Sequence, residues 1–556
     1  MMLTLITVGA ASGALFVDDD GRGNFTTIQD AINASEVGDV IIVLNGTYAE
    51  NIVVDRSIVL KGEDDPVVNS SDLSDPLITI TSDNVTLEGF TFTGCLNKRF
   101  DSGAVMVLAD GCKILNSTIS ASSGNGLYLR SSKDLLVSGN VIRDNRYGGI
   151  CAIGANYSQL VGNQVFSNGK WGIAIEDCVY NTLVQNDVHE NGEVGVQIFS
   201  TLYSYVVYNG IRLNEEDGIH LAESANTAIV ENTILDNGLN GVNVDHALNN
   251  FLLDNVINGS GEEGILAIWS SDGNIITGNT ISGSGLNGIN IYGSNSNTLS
   301  QNEISDNEYN GISLRDNSSS LLISDNEICR NKKYGFYLED SNKNFIEGNE
   351  VYDNFHGVIM ARSSDNVLTE NEIYGNRFGF SMEFSDSVAV SNNDVYDNSD
   401  DGIQLKSCDK SKVWENYICE NGGDGVQVSG SENLVLSRNV IENNSKYGIQ
   451  VLDQATQTLF MYNVVQHNSG GGIYIYEGTI NLISGNIFAD NLNFNVRDNG
   501  QINNWLSNFY SDYSGEAING LVVGVEPYAI QGRRGTAAID SNPVVVKAWL
   551  EERGPD

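Results

Sequence analysis

Residues 278–294 read GNTISGSGLNGINIYGS, and the phrase returns as QNEISDNEYNGISLRDN at 301–317 and RNVIENNSKYGIQVLDQ at 438–454. Aligned on the Asn near the front of each, it is one module present in 17 copies, anchored from Ser117 and Asn140 to Asn463 and Asn486, about 23 residues apart. An apolar residue stands two positions after every anchor, from Ile119 to Phe488, and another three positions before it, from Ile114 to Ile483. A third apolar column lies near anchor plus ten, and a fourth, two further on, fails only at Asp498. With 41% apolar residues, one such column of 17 fills by chance with odds on the order of 10⁻⁷, so the period decides the architecture.

Within a copy, apolar and polar residues alternate over three short segments, the signature of strands with one buried face. Asn at anchor plus five, in 14 of 17 copies, tolerates the left-handed conformation and can hydrogen-bond its own backbone, and Gly near plus nine, in 16 of 17, supplies a tight corner free of a Cβ. Dense Asn, Gly and β-branched residues are poor helix formers, so each copy reads as a three-strand rung. Stacked in parallel, such rungs make a solenoid whose apolar columns become interior stacks and whose Asn columns become amide ladders.

The expected fold is therefore all-β: a single-stranded right-handed parallel β-helix of about 20 rungs with a helical N-terminal cap and an irregular C-terminal cap. At ~4.8 Å per rung it would extend roughly 95 Å. The expected divisions are a signal-peptide remnant over 1–14, an N-cap over 15–50, irregular rungs over 51–113, regular repeats over 114–496 and a capping segment over 497–556. In the N-cap, Ile28, Ala31 and Ile32 share one face of a short helix. At the other end Trp505, Phe509, Tyr510 and Tyr513 supply apolar area.

The repeat N-x-I-x-x-N-x-x-x-G-I-x-L, with phrases such as SSDNVLTEN (363–371), resembles the parallel β-helix repeats of the pectin-lyase-like superfamily. Within it the chain is most similar to NosD-type proteins with carbohydrate-binding and sugar-hydrolase domains, including archaeal cell-surface proteins. The segments VDDDGRGNFTTIQDAINASEVGDVIIVLNGTYAENIVV (17–54), NFYSDYSG (508–515) and PYAIQG (527–532) carry the same resemblance. It implies a β-helix outside the cytoplasm, but its repeat residues are structural and transfer no reaction. Three departures weaken the family's chemistry. The stretch EAINGLVVGVE (516–526) stands where relatives have an Asp- and Gly-rich loop suited to calcium. Gly423-Asp424-Gly425 stands where a polygalacturonase would need Gly-His-Gly. Copper handling needs clustered His, Met or Cys, and only 5 His and 6 Met occur.

Charge narrows the partners. With 29 basic and 72 acidic residues the net charge is −43, which disfavours nucleic acid and anionic membrane surfaces. Seven cysteines at irregular spacing, without Cys-x-x-Cys, read as buried free thiols, with Cys95 and Cys112 the one pair that could bridge. Residues 3–17 are apolar and small, like a signal peptide without its charged front, and no later run is long enough to span a membrane. Ten Asn-x-Ser/Thr sequons occur, six of them before residue 120.

Columns at equal offset become surfaces on a solenoid. Around the fifth to eighth rungs the corner and the strand after it collect Asp217, His220, Glu263, Asn243, Asp245, His246, Trp269, Asn290 and Tyr292. Carboxylates beside aromatic platforms suit a sugar, so Asp217 and Glu263, two rungs apart, are the candidate acid–base pair of a hydrolase, with His220 as proton shuttle and the others binding substrate. Asp401 and Asp424, one rung apart, are a candidate calcium site, although a solvated, splayed pair outweighs it. Outward Tyr474, Tyr476 and the column Gln404, Gln427, Gln450 could contact glycan or stack structurally. The favoured expectation is a secreted or surface β-helix that binds polysaccharide or builds surface structure without turnover. The alternative is a polysaccharide hydrolase or, less favoured, a lyase. A NosD-like metal-insertion accessory ranks last, with no cofactor required unless calcium binds.

Overall fold

The computed structural model describes residues 14–70, 75–517, 522–533 and 535–545; apart from Ala14, the leader expected over 1–14 lies outside them. Packing divides the chain into two compact units, Met1–Glu262 and Glu263–Asp556. Each is a parallel β-solenoid, with ten rungs described in the first and eleven in the second, counted on the strand that follows the anchor.

A rung consists of three strands, as in Leu136–Ser138, Val141–Arg143 and Ile150–Ile153. Each pairs in parallel and in register with its copy 23 residues on, so that Val137 faces Leu160, Ile142 faces Val165 and Ala152 faces Ile175. Equal rung length brings like positions together, and the inward column Ile142, Val165, Val188, Ile211, Ile234 is fully buried. Burial of each such side chain contributes roughly 1.5–3 kcal/mol.

Two Asn ladders occupy the corners. Asn163 accepts from both the backbone N and the Nδ2 of Asn140 and donates its own Nδ2 to Val137 O and Asn186 Oδ1. Asn145, Asn168 and Asn191, at anchor plus five, form the second ladder in the same way. These Asn are buried, and the left-handed residue of the turn sits one position earlier, at Asp144 (φ 56°), Glu190 (φ 54°) and Leu213 (φ 55°). The buried amide is needed for the ladder, and the exposed residue before it takes the turn.

The corner glycines are explained by crowding, because their φ is not positive. A Cβ on Gly218 would lie 2.6 Å from Ile234 Cγ2, 2.7 Å from Gly241 O and 2.8 Å from Asn237 Nδ2. Gly162, by contrast, has φ +63° and nothing within 4 Å, and its counterparts Gln185 and Tyr208 carry side chains at φ 55° and 57°. Gly218→Ala is expected to lower stability by about 1–3 kcal/mol, while Gly162→Asn stays near neutral in urea titration. Equal effects would show that conformation, not space, selects the corner glycine.

At the front, the helix Ile28–Ala34 begins at Thr27, whose side chain accepts from Asp30 N, and Glu50 accepts from the N–H groups of Ile28 and Gln29. Ile28, Ala31 and Ile32 are fully buried, as the amphipathic pattern requires. At the back, regular strands continue past the expected boundary at 497, through Asn504–Leu506 and Phe509–Tyr510. Trp505 and Tyr510 thus belong to the last rung, and an antiparallel pair, Tyr528–Gly532 with Gly535–Asp540, follows it. All seven cysteines are buried free thiols, so Cys95 and Cys112 do not bridge.

Candidate functional site

The four-residue strand after each corner glycine turns alternate side chains outward, and in the first unit this face carries a pocket of about 290 Å³. Its floor is Cys151 and Ala174, paired on adjacent strands, and Trp171 and Phe199 stand at its sides. Gln197 pairs with Ala174, and Glu176 with Phe199, placing an amide and a carboxylate at the rim. Trp171 folds back over Gly148, where a Cβ would collide with the indole, and its Nε1 has no hydrogen-bond partner. Lys170 lies 5.6 Å from the Trp171 ring and bonds Glu193 at 2.9 Å. The floor column continues through Gln197, His220 and Asn243, and the Nε2 of His220 is buried without a partner. From Cys151 to Asn243 this row is about 19 Å long at ~4.8 Å per rung.

The residues expected to do chemistry hold corners together. Asp217 is 5% exposed and accepts from Asn240 N at 3.0 Å, Asn240 Nδ2 at 2.8 Å and Asn243 Nδ2 at 3.0 Å. Glu263, at the start of the second unit, is equally buried and accepts from Asn287 N, Asn287 Nδ2 and Asn290 Nδ2. Neither carboxylate faces solvent as the offset arithmetic implied. Each stands just before a corner glycine and accepts the N–H of the residue one rung on, the role that Asn125, Asn287 and Asn310 fill elsewhere. Asp245 bonds His246 Nδ1 at 2.6 Å on an exposed turn. In the second unit Trp269, 52% exposed, packs edge-on to Tyr292 at 5.7 Å.

Asp401 and Asp424 occupy that same corner column and are buried, not splayed into solvent. Asp401 Oδ1 accepts from Asp424 N at 2.7 Å, Asp424 Oδ1 from Tyr447 N at 2.9 Å, and Gln427 Nε2 reaches both. Burial pushes the Asp401 carboxyl above the usual range and that of Asp424 up to about 6. Among the described residues no group of three His, Cys, Asp or Glu could hold a metal ion. Gln404, Gln427 and Gln450 form a self-bonded ladder at 3.0 and 3.4 Å, and Tyr474 and Tyr476 sit edge to face at 6.0 Å. On earlier rungs of the same unit, Tyr334, His356 and Phe378 pack in a row, and burial there, with Arg377 nearby, lowers His356 to about 4.

A family model described as right handed beta helix region matches residues 170–281, 217–358 and 316–465, together more than half of the chain. A second, described as periplasmic copper-binding protein (NosD), matches residues 32–214. A cell surface glycoprotein of Methanothermus fervidus is 35% identical over 122 residues, which is 21% of this chain and 20% of that protein. The match therefore spans about a fifth of that relative's length. Among solved structures, a periplasmic alginate epimerase is 14% identical with a TM-score of 0.34, covering 67% of this chain and 80% of that one. A pectate lyase is 15% identical with a TM-score of 0.28, over 66% and 80%.

Copper does not fit the residues of the NosD-matched stretch. Its cysteines are separate buried free thiols, among the described residues no group of three His, Cys, Asp or Glu could hold a metal ion, and His189 lies flat on Phe166 at 4.9 Å.

Proposed function

The chain belongs to the right handed beta helix family, and from that premise we propose that it is a surface protein that holds a neutral polysaccharide on the outer face of its first unit without turning it over. The pocket between Trp171 and Phe199 carries this reading. Two aromatic walls offer apolar area to a sugar ring, while Gln197 and Glu176 offer hydrogen bonds to hydroxyls. The cell-surface relative supports the location, and the −43 charge disfavours a polyuronate ligand. A hydrolytic role for Asp217 and Glu263 would have to displace Asn side chains that hold both carboxylates.

Ala174→Tyr is the sharpest test, because the same column carries Tyr128, Tyr337 and Tyr474 and so accepts that side chain. It is expected to fill the pocket and abolish binding to neutral glycans in calorimetry with an unchanged melting temperature. Trp171→Ala is expected to weaken binding roughly tenfold or more, about 1.4 kcal/mol. Undiminished binding by both variants would remove the pocket from the function, and release of reducing ends lost in Asp217→Asn would replace the binding reading with hydrolysis.

A further inference from the structure

Asparagine is distributed unevenly with respect to the sequon. Of 69 Asn, eight precede residue 120, and six of these begin Asn-x-Ser/Thr; of the 61 that follow, four do. Ser and Thr make up 77 of 556 residues, so about one of the first eight would carry the signal by chance. Part of the scarcity in the later part follows from the fold: an Asn of the anchor ladder needs a buried apolar residue two positions on, as Ile142 follows Asn140 and Val165 follows Asn163, and that excludes Ser and Thr there. No such constraint explains the early excess.

Of the two early asparagines without a sequon, Asn51 donates to Pro76 O at 2.8 Å, and buried Asn97 donates to Ser102 Oγ and accepts from Arg99 N; among those with one, Asn24 accepts from Phe16 N at 2.9 Å and Asn45 Nδ2 donates to Asp64 O at an exposed position. Of the six with one, Asn24, Asn33, Asn45, Asn84 and Asn116 are exposed, and Asn69 is half-buried. Asn84 and Asn116 sit on left-handed corners at φ 58° and 45°, outside the rung strands. None of the ten sequons falls in the strands that bear the Trp171 pocket and its continuation to Asn243.

We propose that the N-terminal cap and first rungs are an N-glycosylation zone, taking oligosaccharide on Asn24, Asn33, Asn45, Asn84 and Asn116. The donor is a lipid-linked glycosyl phosphate. The side-chain nitrogen bonds to the anomeric carbon, the bond from that carbon to the phosphate oxygen breaks, the phosphate leaves with the electron pair, and the amide gives up one proton to the transferase. Attached to the cap helix, its flanking loops and two corners, the glycans leave the strands of the pocket face bare. The proposal shares with the proposed function only the export of the chain.

The test is glycopeptide mass spectrometry on the full chain recovered from the surface fraction of a host that N-glycosylates exported proteins. Fractionation reads location separately, and glycan binding is measured apart, so failure of either leaves the other reading distinguishable. At least three of the five asparagines are expected to carry glycan, with Asn51 and Asn97 bare. Thr26→Ala and Thr47→Ala, both exposed and leaving the asparagine in place, are each expected to lower the intact mass by one glycan. Occupancy at two or fewer of the five in exported protein would overturn the proposal, as would glycan on Asn24 or Asn45 that persists in those variants.

Discussion

Replacing Asp540 with alanine is expected to detach the C-terminal cap at a local cost of roughly 5 kcal/mol or more. Asp540 is fully buried and accepts five hydrogen bonds: Ser507 N and Asn542 N on Oδ1, and Asn508 N, Asn508 Nδ2 and Tyr510 Oη on Oδ2. Asn508 is the last member of the anchor ladder, and without the carboxylate its backbone N–H, one of its two Nδ2 hydrogens and the Tyr510 hydroxyl face no acceptor, while Nδ2 keeps its bond to Ile483 O. The second ladder ends in the same manner, since Asn495 Nδ2 donates to Asp512, which also accepts from the Tyr528 hydroxyl. An amide ladder passes one unsatisfied donor set from rung to rung, and only an acceptor-rich group can end it. Hydrogen exchange should show residues 528–545 losing protection in Asp540→Ala while the interior rungs of the second unit keep theirs. Light scattering should show self-association as the last rung's edge is uncovered. Asp540→Asn, which keeps one acceptor oxygen, should fall between the two. Unchanged exchange in Asp540→Ala would mean that the aromatic stack of Tyr510 on Tyr528, at 3.8 Å, suffices to seal the end.

The rungs were legible because every interior position is set by one repeated requirement, burial, and seventeen copies average out the exceptions. Residue type alone could not say what a polar group on a corner does. Asp217 and Glu263 look like a hydrolase's pair when only offset and charge are considered, yet the N–H of the next rung, invisible in sequence, claims them as it claims Asn125 and Asn310. The cue was their position immediately before a corner glycine, which the Asn at that column shared. The pocket was missed for the opposite reason. It arises from what is absent, two small side chains, Cys151 and Ala174, in a column whose neighbouring members on either side are Tyr128 and Gln197. A small residue flanked by Trp171 on its own rung and Phe199 on the next is a signal only when columns are compared for volume.

Asp424→Asn is expected to stabilise the second unit by about 3 kcal/mol at pH 7 and by almost nothing at pH 4. Burial lifts the Asp424 carboxyl from 3.8 to about 6 in the folded chain, two units at about 1.4 kcal/mol each. The native state therefore holds a proton that the unfolded chain releases, so stability is highest below the unfolded value and declines as pH rises through the folded one. Asparagine does not titrate, retains the oxygen that accepts from Tyr447 N, and is the residue that fills this column at Asn287 and Asn310. Asp401, raised in the same direction and one rung away, titrates with it, so the transition belongs to the pair. General relief of the −43 charge at low pH acts on wild type and variant alike and cancels in their difference. Urea midpoints at pH 4, 5, 6 and 7 are the measurement. A gap between variant and wild type that opens from pH 4 to 6 identifies the carboxyl's burial as the cause, whereas a constant gap would show that folding does not raise the Asp424 carboxyl.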